Sequence, residues 1–308
     1  MRKFLLTTAA LVLGVGSTDA LMIAIRPAPQ RAITAEAVVV GKVTAIEKDT
    51  VEAVLPFPGA KEKVTYRVAV VKIESTLAGA ANLTHIKIGT QPPQPAPVPA
   101  PPGGPGVRPI RPIRPGFQAP ELKEGQEMLF FLTKHPSADF YIIPNMSLPV
   151  DIKTDAGKKE LEAVKKVTEV LADPMKALKS DKAETRLLAA TTMVTKYRSY
   201  PDFGGEVEQA AIAADESKLI LKALVEADWS NKVRPAPGAD VFANPINAFY
   251  QLGLSEQDGW AQPAFPRPQP GQPPVDFNAL TKEAFVKWLD GPGKDYRIKK
   301  LVPKATNK

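Results

Sequence analysis

Two histidines and no cysteine bound the chemistry open to this 308-residue chain. Without a thiol there can be no disulfide, no thiolate zinc site and no cysteine nucleophile. His85 alternates with apolar neighbours in Thr84-His85-Ile86-Lys87-Ile88 and should point outward from a strand, while His135 stands before Pro136 in a loop. Both read as surface histidines, and a metal site shared between them would need carboxylates at a spacing the sequence does not offer. A Ser-His-Asp set is a spatial arrangement and stays open, but there is no strand–GxSxG–helix elbow to present the serine. Gly103-Gly104 and Gly204-Gly205 do not precede the lysine-bearing helix that phosphate cradling requires. The pairs Glu160/Glu162 and Glu206/Glu208 fall on polar, solvated helix faces. No catalytic residue, cofactor-binding residue or metal ligand is therefore assigned, and no cofactor is expected.

One segment does carry an interaction chemistry. From Gln91 the chain is proline-rich and ends in Arg108-Pro109-Ile110-Arg111-Pro112-Ile113-Arg114-Pro115. Polyproline II repeats every three residues, so Arg108, Arg111 and Arg114 would line one edge and Ile110 and Ile113 another. A preorganised edge of this kind suits partner recognition; a spacer between strands is the alternative. The 32 prolines amount to about twice the usual share of about 5%. They are clustered, so they mark segments within a globular chain.

The N-terminus reads as a signal peptide over 1–20. Met1-Arg2-Lys3 is the basic start, Phe4 to Gly16 the apolar stretch, and Thr18-Asp19-Ala20 the cleavage site. An uncleaved anchor extending through Leu21 to Ile25 is the alternative, and it is the one route to a membrane that the sequence offers. Residues 21–32 read as a flexible leader. The formal net charge of +7 falls to +6 once Arg2, Lys3 and Asp19 are removed. Spread over so long a chain, it bears on solubility rather than on nucleic-acid binding. The densest basic run, from Lys294 to Lys308, reads as a solvated tail over its last residues, 304–308.

Between 33 and 150 the apolar pattern has the two-residue period of strands. Six are expected: Ala35–Ile46, then a turn at Glu47–Thr50, Val51–Leu55, Lys63–Leu77, Thr84–Ile88, Met128–Leu132 and Phe140–Ile143. The last two form a hairpin, and Gly41 marks a bulge or bend. The proline tract, 91–120, is a disordered insertion within this β region. Short strands at close spacing suggest an antiparallel barrel or sandwich.

From Thr154 the period becomes 3.6. Leu161, Val164, Val167 or Thr168, and Leu171 trace a helix ended by Asp173-Pro174. A second helix starts at an Asp181 cap with Glu184. Others cover Glu206–Ala213 and Ser217–Ala227, one begins at Asn244-Pro245 and ends at Gly253, and a last one is capped by Thr281 and stopped by Gly291-Pro292. A proline-rich loop fills 260–275. The expected architecture is α+β: an N-terminal antiparallel β-barrel over 33–150 followed by a small all-α helical domain over 151–303.

The order "VVVGKV", "YRVAVVKIESTLAGA", "IKIG" and "EGQEMLFFL" resembles netrin-like domains with an OB-type barrel, including the N-terminal domain of tissue inhibitors of metalloproteinases. The inhibitors chelate the protease zinc through an N-terminal cysteine; this chain has none, so no site residue carries over. The stretch "DPMKALKSDKAETRLLAATTMVTKYR" resembles a HEAT-type helical repeat. The sequence leads first to an exported, non-enzymatic binding protein of the bacterial envelope or extracellular space, with a protein or an envelope polymer as its partner and not nucleic acid. A netrin-like protease inhibitor and a hydrolase with a site between the two regions are the other readings.

Overall fold

The alternating run that begins near Ala35 becomes one long strand, β1 (Ala37–Val54), paired antiparallel with β2 (Lys63–Ala78). The structure, a computed structural model, describes residues 26–92, 120–230, 243–266 and 274–304. The signal segment 1–20 and Arg108, Arg111 and Arg114 lie outside these residues, as do most of the proline tract and the end of the basic tail. The turn expected at Glu47–Thr50 is absent. From Ile46 to Thr50 β1 advances four residues while β2 advances two, from Ala69 to Arg67. The polar quartet is accommodated as an irregularity inside the strand rather than as its end. Gly41 sits at another shift in register, and a side chain there would place its Cβ 2.6 Å from Val71 Cγ1 and 2.7 Å from the Lys72 carbonyl oxygen. The glycine is therefore needed for the close approach of the two strands.

β3 (His85–Thr90) pairs antiparallel with β2, and β4 (Glu127–Lys134) antiparallel with β1. β5 (Tyr141–Ile142) lies parallel to β3 and antiparallel to β4, completing the hairpin expected from the sequence. β6 (Val150–Asp151) joins the outer part of β4. The result is a large, mostly antiparallel sheet whose pairings run β1–β2–β3–β5–β4, with a further pairing of β4 to β1.

β4 explains why its sequence is uniformly apolar. Phe130 and Leu132 pack with Val39, Val43, Val71 and Ile88 on one face. Leu129 and Phe131 pack with Val38, Val40, Ala28, Ala32 and Val164 on the other. With both faces covered, alternation disappears. The covering on the second face corrects the flexible-leader expectation: residues 28–34 form a helix, α1 (Ala28–Thr34). Arg26-Pro27-Ala28-Pro29 looks like a breaker, yet proline is well suited to a first helical turn, where its missing N–H costs nothing. Arg31 is 5% exposed and stacks its guanidinium 4.8 Å from the centre of the Phe131 ring. It donates to the Leu148 carbonyl and pairs with Glu160 at 3.2 Å.

Glu160 belongs to α2 (Asp155–Ala172), whose Thr154 cap accepts a bond from Gly157 N at 3.0 Å. After α3 (Pro174–Leu178) comes α4 (Ala183–Arg198), buried around its whole circumference from Ala189 to Thr195. α5 (Ala214–Glu226) and α6 (Pro245–Leu252) pack against it, and α7 (Phe277–Asp290) packs against α5. Their core contains Ile220, Leu224, Trp229, Phe249, Phe285 and Trp288. The asparagine cap of α6 is present, with Asn244 Oδ1 accepting from Ile246 N and Asn247 N. The caps expected at Asp181 and Thr281 are not: α4 starts after Lys182, and Asp276 caps α7.

This region is not all-helical. The helix expected at Glu206–Ala213 is a strand, β7 (Val207–Ala211), paired antiparallel with β8 (Lys299–Pro303). Good helix formers yield here to tertiary pairing, which Ile212 N extends by bonding to the Ile298 carbonyl at 2.9 Å. Three residues of the basic stretch find partners here, although Lys304 stays largely exposed and residues 305–308 lie outside the described residues. Arg297 donates to the Ile212 carbonyl, Lys299 pairs with Asp258 at 2.7 Å, and Lys304 with Glu206 at 3.0 Å.

Candidate functional site

β4 ends at Thr133 and Lys134, and the chain turns at once, with His135 N bonding to the Phe140 carbonyl at 3.0 Å. This tight turn drives His135 inward. It is 2% exposed, not a surface residue as its loop position suggests. Its ring lies 5.5 Å from Tyr66 and 5.0 Å from Phe140, centre to centre, and the latter two are 5.0 Å apart. Nδ1 accepts from Ser137 N at 3.2 Å, which places the proton of the neutral ring on Nε2, and Nε2 makes no hydrogen bond of normal geometry. Burial lowers the pKa of His135 below the ordinary histidine value, the Val54 backbone pulling the other way. His85 is exposed on β3, its Nδ1 3.2 Å from Thr84 Oγ1. The two histidines thus have opposite environments and form no common site.

Residues flanking His135 line a cleft of about 420 Å³. Pro56, Phe57 and Pro58 come from the loop between β1 and β2. Thr133 and Pro136 come from the end of β4 and the turn after it, and Thr34 and Glu36 from the α1–β1 junction. Pro201, Asp202, Phe203 and Gly204 close the cleft from the loop between α4 and β7. The walls are proline and phenylalanine rings, and Phe57 keeps 47% of its surface exposed.

Two carboxylates sit among these rings. Asp202 Oδ2 accepts from Thr133 Oγ1 at 2.7 Å, and Glu36 Oε2 accepts from Lys134 N at 2.9 Å. Burial raises the pKa of Asp202; the Thr133 bond and the charge of Arg26 oppose the shift, and Glu36 adds to it. Neither acid forms an ion pair with a described residue. A second depression, of about 410 Å³, contrasts with this. There Glu127 is paired with Lys42 at 3.8 Å and with Lys153 at 3.4 Å, and Glu124 accepts from Ile46 N.

No lining residue of the proline-walled cleft is a histidine, serine or lysine. Among the described residues, no group of three or more histidines, aspartates and glutamates could hold a metal ion. The sequence singled out neither Asp202 nor Glu36. Pro56-Phe57-Pro58-Gly59 and Pro201-Asp202-Phe203-Gly204 share a proline–phenylalanine–glycine make-up in two distant loops, and this was the one legible trace of the cleft.

The candidate interaction residues Arg108, Arg111 and Arg114 lie outside the described residues, so nothing places them relative to the cleft. Comparison with family models gives no match for this chain, and comparison with curated proteins gives no significant one.

Proposed function

We propose that the chain is an exported, non-enzymatic binding protein of the bacterial envelope or extracellular space, and that its ligand site is the cleft walled by Pro56, Phe57, Pro136 and Phe203. The ligand is a partner protein or an envelope polymer. In this reading the β region is an OB-type barrel. The pairing order β1–β2–β3–β5–β4 with a return to β1 supports it, because closing a sheet on itself removes its edges. OB-type barrels bind ligands through the loops after their first and fourth strands.

The observation that carries the proposal is the meeting of those two loops, residues 55–62 and 135–140, at one concave, apolar opening also bounded by a loop of the helical region. Apolar clefts with a few polar groups are the usual form of binding sites. Thr34 and Thr133 are the hydroxyl-bearing residues of the lining, and both hydrogen-bond within the protein, to the Arg31 carbonyl at 3.3 Å and to Asp202. That supports binding over nucleophilic chemistry. Among the described residues, no helix is long and apolar enough to cross a membrane.

The absence of cysteine makes the test clean. A photo-crosslinker attached at Phe57→Cys should capture an envelope component that the same reagent at exposed Lys218→Cys on α5 does not. Identical capture from both positions, or none from either, would remove the cleft as the binding site.

A further inference from the structure

We propose that the cleft takes a basic side chain, a lysine or arginine of a partner protein's extended segment, with its charged end between Asp202 and Glu36 and its aliphatic stem along the proline and phenylalanine walls. This rests on the reading of the cleft as a ligand site and specifies what enters it.

The argument is one of donors and acceptors. Proline has no backbone N–H, and the lining includes Pro56, Pro58, Pro136 and Pro201. The Thr133 hydroxyl directs its proton to Asp202, and the Thr34 hydroxyl directs its own to the Arg31 carbonyl. The side chains of the lining therefore offer acceptors. Each carboxylate uses one oxygen within the protein, leaving Asp202 Oδ1 and Glu36 Oε1 without a described hydrogen-bond partner. A ligand group that meets them must donate, and a cation does so best because charge-assisted bonds are the stronger ones.

Charge complementarity points the same way. The charged residues of the lining are both acidic, Glu36 and Asp202, on a chain whose formal net charge is positive. Arg26 acts on Asp202 through charge but is not ion-paired with it. The ring walls fit the rest of such a side chain, since long basic side chains lay their methylene stems on apolar surface and cations are attracted to aromatic faces.

The experiment is calorimetric titration of the full chain with acetyl-Pro-Arg-Pro-amide and with its citrulline counterpart, which has nearly the same shape and no charge. Chemical-shift mapping of Phe57 and Phe203 accompanies it. The expected result is binding of the arginine peptide at the cleft, at least tenfold weaker binding of the citrulline peptide, and about a tenfold loss for the arginine peptide alone in Asp202→Asn combined with Glu36→Gln. Equal affinity of the two peptides, with shifts at Phe57 and Phe203, would overturn the basic-ligand inference and leave the cleft as a binding site. Binding that shifts neither phenylalanine, or no binding of the arginine peptide, would also overturn it; the crosslinking comparison then decides separately whether the cleft binds anything.

Discussion

Thr133 Oγ1 donates to Asp202 Oδ2 across 2.7 Å, and this one bond ties the end of β4 to the loop that leads out of α4. The residues are 69 positions apart in the chain. Thr133 is buried and Asp202 is partly so, so the bond forms where an unmet acceptor is costly. Thr133→Val keeps the shape and removes the donor. It should lower stability by about 1–3 kcal/mol, the range for a buried polar group left without its partner. Urea unfolding at neutral pH reads this directly. Asp202→Asn should be nearly neutral by the same measurement, because it retains an acceptor and removes a buried charge.

The pH dependence of that pair has a definite sign. The pKa of Asp202 is raised in the folded chain, so the native state holds a proton more tightly than the unfolded state does. Between the ordinary carboxylate value and the raised one, stability falls as pH rises. Above the raised value the penalty is constant. The stability difference between wild type and Asp202→Asn should therefore move in favour of Asn as pH rises through this window and then level off. A difference that stays flat throughout would show that burial does not act on this carboxyl.

His135 has the opposite dependence. Its pKa is lowered by burial beside Tyr66 and Phe140, so the unfolded chain binds the proton more readily. Stability is then fully present above the ordinary histidine value and is lost as pH falls through the window down to the lowered value. His135→Phe, which keeps an aromatic ring in the cluster, should flatten this acid limb. Thermal unfolding from pH 7.5 to 5 is the measurement.

Much of the sheet was legible because period-two alternation survives wherever one face is less buried, as in Val64, Tyr66 and Val68 of β2. Glu47–Thr50 misled because turn chemistry is a local signal, and the pairing of β1 with β2 on both sides of it overrode that signal. β7 misled for a related reason: Glu206–Ala213 is helix-prone by composition, and only its contact with β8, about ninety positions later, makes it a strand. The α6 helix was read correctly from end to end because its signals, Asn244, Pro245 and Gly253, are all local. The cleft was almost invisible. Its acids come from two loops that meet only in three dimensions, and the burial of His135 depends on rings contributed by β2 and by the turn before β5.

Arg31 offers a test of how α1 is held. Its guanidinium stacks on Phe131, reaches the Leu148 carbonyl and pairs with Glu160. Arg31→Met should preserve much of the packing and lose the rest, for a cost of about 1–3 kcal/mol; Arg31→Ala should cost about 2–4 kcal/mol, because a cavity over Phe131 is added. Glu160 is 34% exposed on its side chain, so water can take up part of what it loses. If both variants match wild type in urea unfolding, α1 is not anchored through this residue, and the second face of the sheet, that of Leu129 and Phe131, is covered by apolar contact alone.

Gly89 connects the sheet to the cleft. It lies on β3 directly under Phe140: a Cβ at this position would come 2.4 Å from the Phe140 ring, with no flexible end to move aside. Gly89→Ala must therefore displace Phe140, and overpacking of this kind costs about 1–3 kcal/mol. The displaced ring is a neighbour of both His135 and Tyr66, so the turn that carries Pro136 should shift with it. The expected outcome is a stability loss in this range together with weaker binding of the arginine peptide, even though Gly89 does not line the cleft. A double variant, Gly89→Ala with Phe140→Leu, makes room for the added methyl and should recover part of both losses. Recovery of stability without recovery of binding would mean that Phe140 shapes the cleft through its ring, and recovery of neither would show that the strain at Gly89 lies in the strand itself.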